Sequence, residues 1–323
     1  MKTRTKYVMS ALVFGLCCLG LFAQKPAGHL KPSRTLLLYP EGQLSDRGLE
    51  GAEGPLESNG LTGPETMHEN GNLYGTADSA RIDLYFPKKG NGRMVVVCPG
   101  GGYLFCSTYN EGVHVAKWML EKGIAVCVVK YRMPNGHWQI PLQDVQNALR
   151  YCRANAERWK VKRIGVMGFS AGGHLAASAS TMFRDSVTRP DFSILIYPVI
   201  TLGEFTSHGG TRNNLLGKKE VWDAPYRSLV ERYSIENQVS ALTPPTFLAV
   251  SEDDNVVPVV NSILYYQKLL EYQVPAELHI FPTGGHGWGF SKNKYRADGK
   301  KDRFNAHRDS FEKCLGDWLD AIQ

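Results

Sequence analysis

The segment GVMGFSAGGHLAASAS, Gly165 to Ser180, sets one serine among glycines, between an apolar run and an alanine-rich one. The apolar run predicts a strand, the alanine-rich run predicts a helix, and a tight bend must join them. Gly168-Phe169-Ser170-Ala171-Gly172 fits G-x-S-x-G in that strand–turn–helix context. A serine at such a tip is held in a strained backbone conformation, and bulky flanks would clash with the strand or the helix. The bend leaves its hydroxyl exposed at a helix N-terminus, whose field favours a developing negative charge. Ser170 is therefore a candidate nucleophile. The competing reading is a glycine-rich turn with no chemistry.

A serine nucleophile needs a base, and the base needs an acid to orient it. Downstream, TFLAVSEDDNVVP (Thr246 to Pro258) ends a predicted strand with adjacent acids, and ELHIFPTGGHGWGF (Glu277 to Phe290) ends the next with His286 in a glycine-rich loop. The order Ser, Asp, His is that of the α/β-hydrolase architecture. Asp253 is the first aspartate past its strand and is expected to be the acid. Asp254 is the alternative, otherwise facing solvent or capping the turn. His174, four residues past the serine on one helix, is expected to pack behind the bend, and His208 is a candidate pocket residue. CPGGGYLFCS, Cys98 to Ser107, follows an earlier strand with three glycines. It is expected to supply oxyanion donors from Gly101 and Gly102, joined by the N–H of Ala171. Its bland reading is a plain glycine turn. Tyr103 and Trp288 are candidate substrate-binding residues, with Trp288 expected to wall the pocket. Trp138 and Trp222 are further aromatics able to stack on sugars, although an aromatic in a core is the commoner case.

Outward from the serine, the runs RIDLYFP, MVVVCPG, IAVCVVKY, IGVMGFS, FSILIYP, TFLAVSE and ELHIFP are short and rich in β-branched residues. Segments of helical spacing such as EGVHVAKWMLEKG and IPLQDVQNALRYCRANAERW lie between most of them. Apolar strands separated by amphipathic helices predict an α/β fold, a mostly parallel central sheet with helices on both faces. Right-handed crossovers then bring the C-terminal strand ends, and Ser170, the acid and His286 with them, to one edge. The alternation breaks over 201–242, which is expected to be a lid-like insertion over the site. Residues 41–75 carry eight glycines and seven acids against one arginine and read as a polar loop. The expected organisation is thus a leader (1–23), a polar N-terminal extension (24–80) and a catalytic domain (81–323).

The leader is read from order: MKTRTK is basic, YVMSALVFGLCCLGLFA is apolar, and QKPAGHLKPSR is polar. That order predicts a cleavable signal peptide ending at Ala23 and a periplasmic or extracellular location. A retained anchor and a lipoprotein at Cys17 or Cys18 are the alternatives, the latter weakened by Leu16, where a small residue would be expected. Removing 1–23 deletes Lys2, Arg4 and Lys6 and no acid, so a formal charge of +6 falls by three to +3. With no Lys/Arg cluster, nucleic acid is not an expected partner, nor is a membrane beyond the leader. Of seven cysteines, five remain: Cys98, Cys106, Cys127, Cys152 and Cys314. An odd number leaves at least one thiol free, and most are expected to be free and structural. There is no C-x-x-C pair, so neither a zinc site nor a redox site is indicated, and hydrolysis by a serine, a histidine and an acid needs no metal or cofactor.

PGGGY (Pro99 to Tyr103), GFSAGGHLA (Gly168 to Ala176) and DDxVVP (Asp253 to Pro258) together resemble the α/β-hydrolase superfamily, and more narrowly its secreted bacterial acetyl esterases, the acetylxylan esterase-like group. FPTGGHGWG (Phe281 to Gly289) resembles that group's histidine loop, and YPVIT…HGGTRNNLLG (Tyr197 to Gly217) its insertion. Pro99 stands where wider relatives often carry histidine, a change that leaves backbone donors intact. The resemblance covers roughly residues 80–323. It implies Ser170, Asp253 and His286 as catalytic residues of a serine carboxylic-ester hydrolase that removes acetyl groups from plant polysaccharides or oligosaccharides without a cofactor. A feruloyl-type esterase is the alternative within that class. A serine exopeptidase of the prolyl-oligopeptidase type shares the acid turn, but residues 24–80 cannot supply its β-propeller. A non-catalytic carbohydrate-binding protein is the third reading, opposed by an intact set of three catalytic residue types.

Overall fold

The computed structural model describes residues 30–38, 66–67, 73–74, 80–290 and 303–322. The leader and most of the 24–80 extension lie outside the described residues. Strand β1 spans Arg34–Leu37, β4 Arg81–Tyr85, β5 Arg93–Cys98, β6 Ala125–Lys130, β7 Arg163–Phe169, β8 Ser193–Ile196, β9 Thr246–Ser251 and β10 Ala276–Phe281. β2 (Thr66–Met67) and β3 (Leu73–Tyr74) pair with each other apart from the main sheet. The main sheet has the order β1-β4-β6-β5-β7-β8-β9-β10. β4 runs antiparallel to both of its neighbours, β1 and β6, and β5 to β10 are parallel to one another.

All seven strands expected from the apolar runs are present. β1 is an addition: in a region read as polar extension, Arg34 to Leu37 pairs residue for residue with Leu84 to Arg81. Its apolar run, Leu36 to Leu38, is short and lies between the polar stretch from Gln24 and the glycine-rich, acidic stretch from Glu41, so the composition of the segment hides it.

The helices are α1 (His114–Glu121), α2 (Gln139–Ala154), α3 (Ser170–Thr181), α4 (Gly209–Leu216), α5 (Ala224–Arg232), α6 (Val260–Glu271) and α7 (Arg308–Ala321). The period-2 alternation of the strands sorts them into two cores. Met94, Val96 and Cys98 of β5 point into one, with Val145 and Leu149 of α2, Leu175 and Ala179 of α3, and Tyr265 of α6. Val95 and Val97 point into the other, with Val115 and Met119 of α1 and Phe311, Leu315 and Trp318 of α7. Both faces are therefore covered, as a parallel sheet requires. Cys98, Cys106, Cys127 and Cys152 are buried free thiols, and Cys314 is free at the surface of its core.

The insertion folds as α4, α5 and a 3₁₀ turn at Ile235–Gln238. Each helix begins on a side-chain cap: His208 accepts the Thr211 N–H, and Asp223 accepts the Tyr226 N–H at 2.9 Å. Leu215, Leu216, Tyr226 and Val230 join the first core, so the insertion is packed down rather than projecting.

Candidate active site

The bend is as sharp as the sequence requires. Ser170 follows directly on β7 and opens α3 with φ +52°, a left-handed conformation that a side chain rarely adopts. Close packing compels the small neighbours: a Cβ on Gly172 would stand 2.1 Å from the Cys98 carbonyl oxygen. The serine is 8% exposed, nearly enclosed by the loops that leave the neighbouring strands.

His286 reaches it from the loop after β10. The Ser170 hydroxyl and His286 Nε2 are 2.8 Å apart, and His286 Nδ1 lies 2.7 Å from Asp254 Oδ2. Oδ1 of Asp254 accepts the N–H groups of Val256 at 2.9 Å and Val257 at 3.0 Å, which fixes the carboxylate. A carboxylate on Nδ1 holds that nitrogen protonated and leaves Nε2 to accept the serine proton.

The expectation of Asp253 is therefore corrected: the acid on His286 is Asp254. Asp253 turns the other way. Its Oδ1 accepts the Gly285 N–H at 2.7 Å and its Oδ2 pairs with Arg303 at 2.8 Å, so it steadies the histidine loop from outside. Sequence held no signal between the two: either aspartate could bond N–H groups two and three residues on, and only the folded turn gives that role to Asp254.

Around the serine, the glycine loop passes close by: a Cβ on Gly100 would lie 2.9 Å from Ser170 Cβ. Gly101 (φ +129°) and Gly102 (φ +65°) then turn through conformations suited to glycine. Among the described residues their N–H groups have no hydrogen-bond acceptor. Ala171 offers a third, at the first turn of α3, where N–H groups lack helical partners. Asn214 of α4 pins this loop by donating to the Gly102 carbonyl at 2.8 Å. The insertion thus holds the position of two candidate oxyanion donors, a link invisible in sequence.

Neither candidate substrate residue faces a substrate. Tyr103 is 1% exposed, and its hydroxyl bonds His174 Nδ1 at 2.9 Å. His174 Nε2 donates in turn to the Tyr233 carbonyl at 2.8 Å, so the pair braces the back of the bend against the insertion. Trp288 is 4% exposed and lies flat on Phe304, ring centroids 3.7 Å apart at 6°, with Tyr197 and Phe311 against its edges. It is core, and its size and position two residues after the base gave no warning of that.

His208 does stand at the site. Its Cε1 is 3.9 Å from where a Cβ on Gly102 would be, and it senses the charges of His286 and Asp254. Its Nδ1 accepts the Thr211 N–H, which leaves Nε2 as the protonated nitrogen, and burial holds its pKa below the ordinary value.

The chain is similar to several known proteins. The family model described as BD-FAE matches residues 82–269. The acetylxylan esterase of Xylanibacter ruminicola is 39% identical over 247 residues, 75% of this chain and 48% of that protein. Endo-1,4-beta-xylanase B of Butyrivibrio fibrisolvens is 35% identical over 62% of this chain and 33% of that protein. The chain thus spans half or less of the length of these two relatives. Among solved structures, the acetyl ester-xyloside bifunctional hydrolase of Caldicellulosiruptor lactoaceticus superposes with TM-score 0.69 at 32% identity, over 92% of this chain and 98% of that one.

Proposed function

The chain belongs to the BD-FAE family, and on that premise we propose that it is a serine ester hydrolase that removes acetyl groups from xylan or its oligosaccharides. The observation that carries the reading is the chain of contacts Ser170–His286–Asp254, 2.8 and 2.7 Å long, beside N–H groups of Gly101 and Gly102 that have no acceptor among the described residues. The likeness to an acetylxylan esterase and to an acetyl ester-xyloside hydrolase supports the acetylated-xylose substrate.

The steps follow from the contacts. Ser170 Oγ attacks the acetyl carbonyl carbon as His286 Nε2 takes its proton, and Asp254 steadies the imidazolium that results. The carbonyl oxygen, now negative, is received by N–H groups of Gly101, Gly102 and Ala171; one such donor contributes about 2.7–4 kcal/mol. His286 then returns the proton to the departing sugar oxygen, which leaves as an alcohol. Water attacks the acetyl-enzyme in the same manner, giving acetate and free Ser170. Each proton goes to Nε2 and comes back from it, so these steps are complete with the residues in place.

Export is part of the same proposal and rests on the basic, apolar, polar order of residues 1–34. The test is acetate and ferulate release from acetylated xylan, acetylated pectin and feruloylated arabinoxylan, with Ser170→Ala as control. Acetate from xylan that disappears in the variant is the expected result. Ferulate as the principal product would replace acetyl by a bulky aryl acyl group, and release surviving Ser170→Ala would end the serine mechanism.

A further inference from the structure

Glu111 is a buried carboxylate for which the steps above find no use. It lies in a π-helical turn, Tyr109–Val113, between the glycine loop and α1, and is 4% exposed. Its Oε2 accepts the N–H of Gly100 at 2.7 Å, and its Oε1 accepts the hydroxyl of Tyr197 at 2.8 Å. The Tyr197 oxygen also accepts the N–H of Gly289 at 2.9 Å, so its own proton is directed to Glu111. The Tyr197 ring lies against His286, centroids 4.9 Å apart. Asn110, from the same turn, donates to the Gly287 carbonyl at 3.1 Å.

We propose that Glu111 is a positioning residue of the hydrolytic site, an ionised buried carboxylate that ties the oxyanion loop to the histidine loop through Tyr197 and supports the positive charge His286 acquires during reaction. The inference rests on the reading of Ser170, His286 and Asp254 as catalytic.

Two independent strands of geometry support it. Mechanically, Gly100 precedes the candidate donor Gly101, and Gly289 closes the loop that carries His286. One side chain therefore sets the separation of oxyanion donors and base. Tyr197 holds φ +38°, a conformation that costs free energy and persists only where surroundings impose it. Electrostatically, both carboxylate oxygens receive hydrogen bonds, the arrangement of an acceptor-only, ionised group. Burial opposes this and raises the Glu111 pKa, while the Tyr197 and Gly100 bonds and the proximity of His286 lower it. A charge kept in so dry a place acts over longer range than one in water. Other titratable or charged groups on this side include Tyr131 by the glycine loop and Arg308 beyond Tyr197, which donates to the Gly289 carbonyl at 2.9 Å. Those facing His286 are Asp254, Ser170 and His208. Asp254 makes the contact; Glu111 acts through Tyr197 and through its field.

The experiment measures kcat, KM and the pH dependence of kcat/KM for 4-nitrophenyl acetate with full-length Glu111→Gln and Tyr197→Phe. Glu111→Gln is expected to lower kcat by ~10–100-fold with KM within ~2-fold. Its acid limb should move to lower pH by ~0.5–1 unit, because the imidazolium has lost a supporting negative charge. Tyr197→Phe removes one donor from Glu111, which then takes up a proton at higher pH; because protonation of either Glu111 or His286 ends the fully active form, its acid limb should move to higher pH. Limbs displaced in opposite directions support the proposal. Rate losses with both limbs unmoved, or moved in the same direction, overturn it and leave a packing role. Should Glu111→Gln fail to fold, the Tyr197→Phe limb decides alone, and an unmoved or lowered limb overturns the proposal. The assay needs only an activated ester, so a wrong sugar assignment leaves it intact. A wild type inert toward every acyl ester overturns this inference together with the proposed function.

Discussion

Asp254 and Asp253 are adjacent in sequence and face opposite sides of the histidine loop. Asp254 meets His286 Nδ1 at 2.7 Å with its side chain fully buried; Asp253 meets the Gly285 N–H at 2.7 Å and Arg303 outside. Orientation and tautomer of the base therefore depend on one, and the loop's anchorage on the other. Asp254→Asn is expected to lower kcat on the order of 10⁴-fold, the loss typical when an amide replaces the acid of such a triad. Asp253→Asn keeps an acceptor for Gly285 and should cost no more than about tenfold. Steady-state kinetics on 4-nitrophenyl acetate compare them, and a reversed ranking would return the acid role to Asp253.

The strain at Ser170 gives a stability test separate from activity. A non-glycine residue in the left-handed region costs roughly 1–2 kcal/mol, which glycine does not bear. At φ +52°, Ser170→Gly should be inactive yet more stable to urea than Ser170→Ala by about 1 kcal/mol. An alanine variant as stable as the glycine one would mean that the bend stores no such strain.

Most of the sheet was readable because each buried strand, such as Arg93–Cys98 or Thr246–Ser251, is a short apolar run between turn residues. Ser170, His286 and the glycine loop were readable because strand–turn–helix chemistry restricts what fits there. Strand β1 was not, since its leucines, Leu36 to Leu38, sit in a segment whose overall composition is polar. The acid was misassigned because neighbouring turn residues differ only in direction, which depends on where Val256 and Val257 place their N–H groups. Glu111 and Tyr197 were invisible for a different reason. Their contacts, Gly100, Gly289 and His286, come from separate segments that meet only in the folded chain.

Trp288 shows how proximity in sequence misleads. Its indole is stacked on Phe304 and enclosed by Tyr197 and Phe311, so Trp288→Ala opens a cavity in the core beneath His286. The cost should be about 3–5 kcal/mol of unfolding free energy. The ratio of acetyl to butyryl ester hydrolysis should stay within about twofold, because the ring presents almost no surface to a ligand. Trp288→Phe, which keeps most of the stacking area and drops an indole N–H that has no partner among the described residues, should be far milder. A wild-type melting profile for Trp288→Ala, with altered acyl preference, would place the ring in the pocket after all.

His174 makes the fold sensitive to acid. Burial holds its pKa down at about 4, against an ordinary 6.5, with the Tyr233 carbonyl only partly offsetting the loss of hydration. The unfolded chain therefore takes up a proton here as pH falls through 6.5, while the folded chain does not until about 4. Folded stability should decline across that window, by about 3 kcal/mol from this residue if the whole shift is realised, and gain no further loss from it below. Carboxylates titrate in the same range, so the comparison must be between proteins. His174→Gln, which can still reach Tyr103 or Tyr233 but does not titrate, should show a shallower fall in urea-unfolding free energy between neutral pH and about pH 4.5. Its absolute stability is free to differ; the slope is the observable. Equal slopes in both proteins would mean that His174 is protonated in the folded state, and its bonds to Tyr103 and Tyr233 would then be made by an imidazolium.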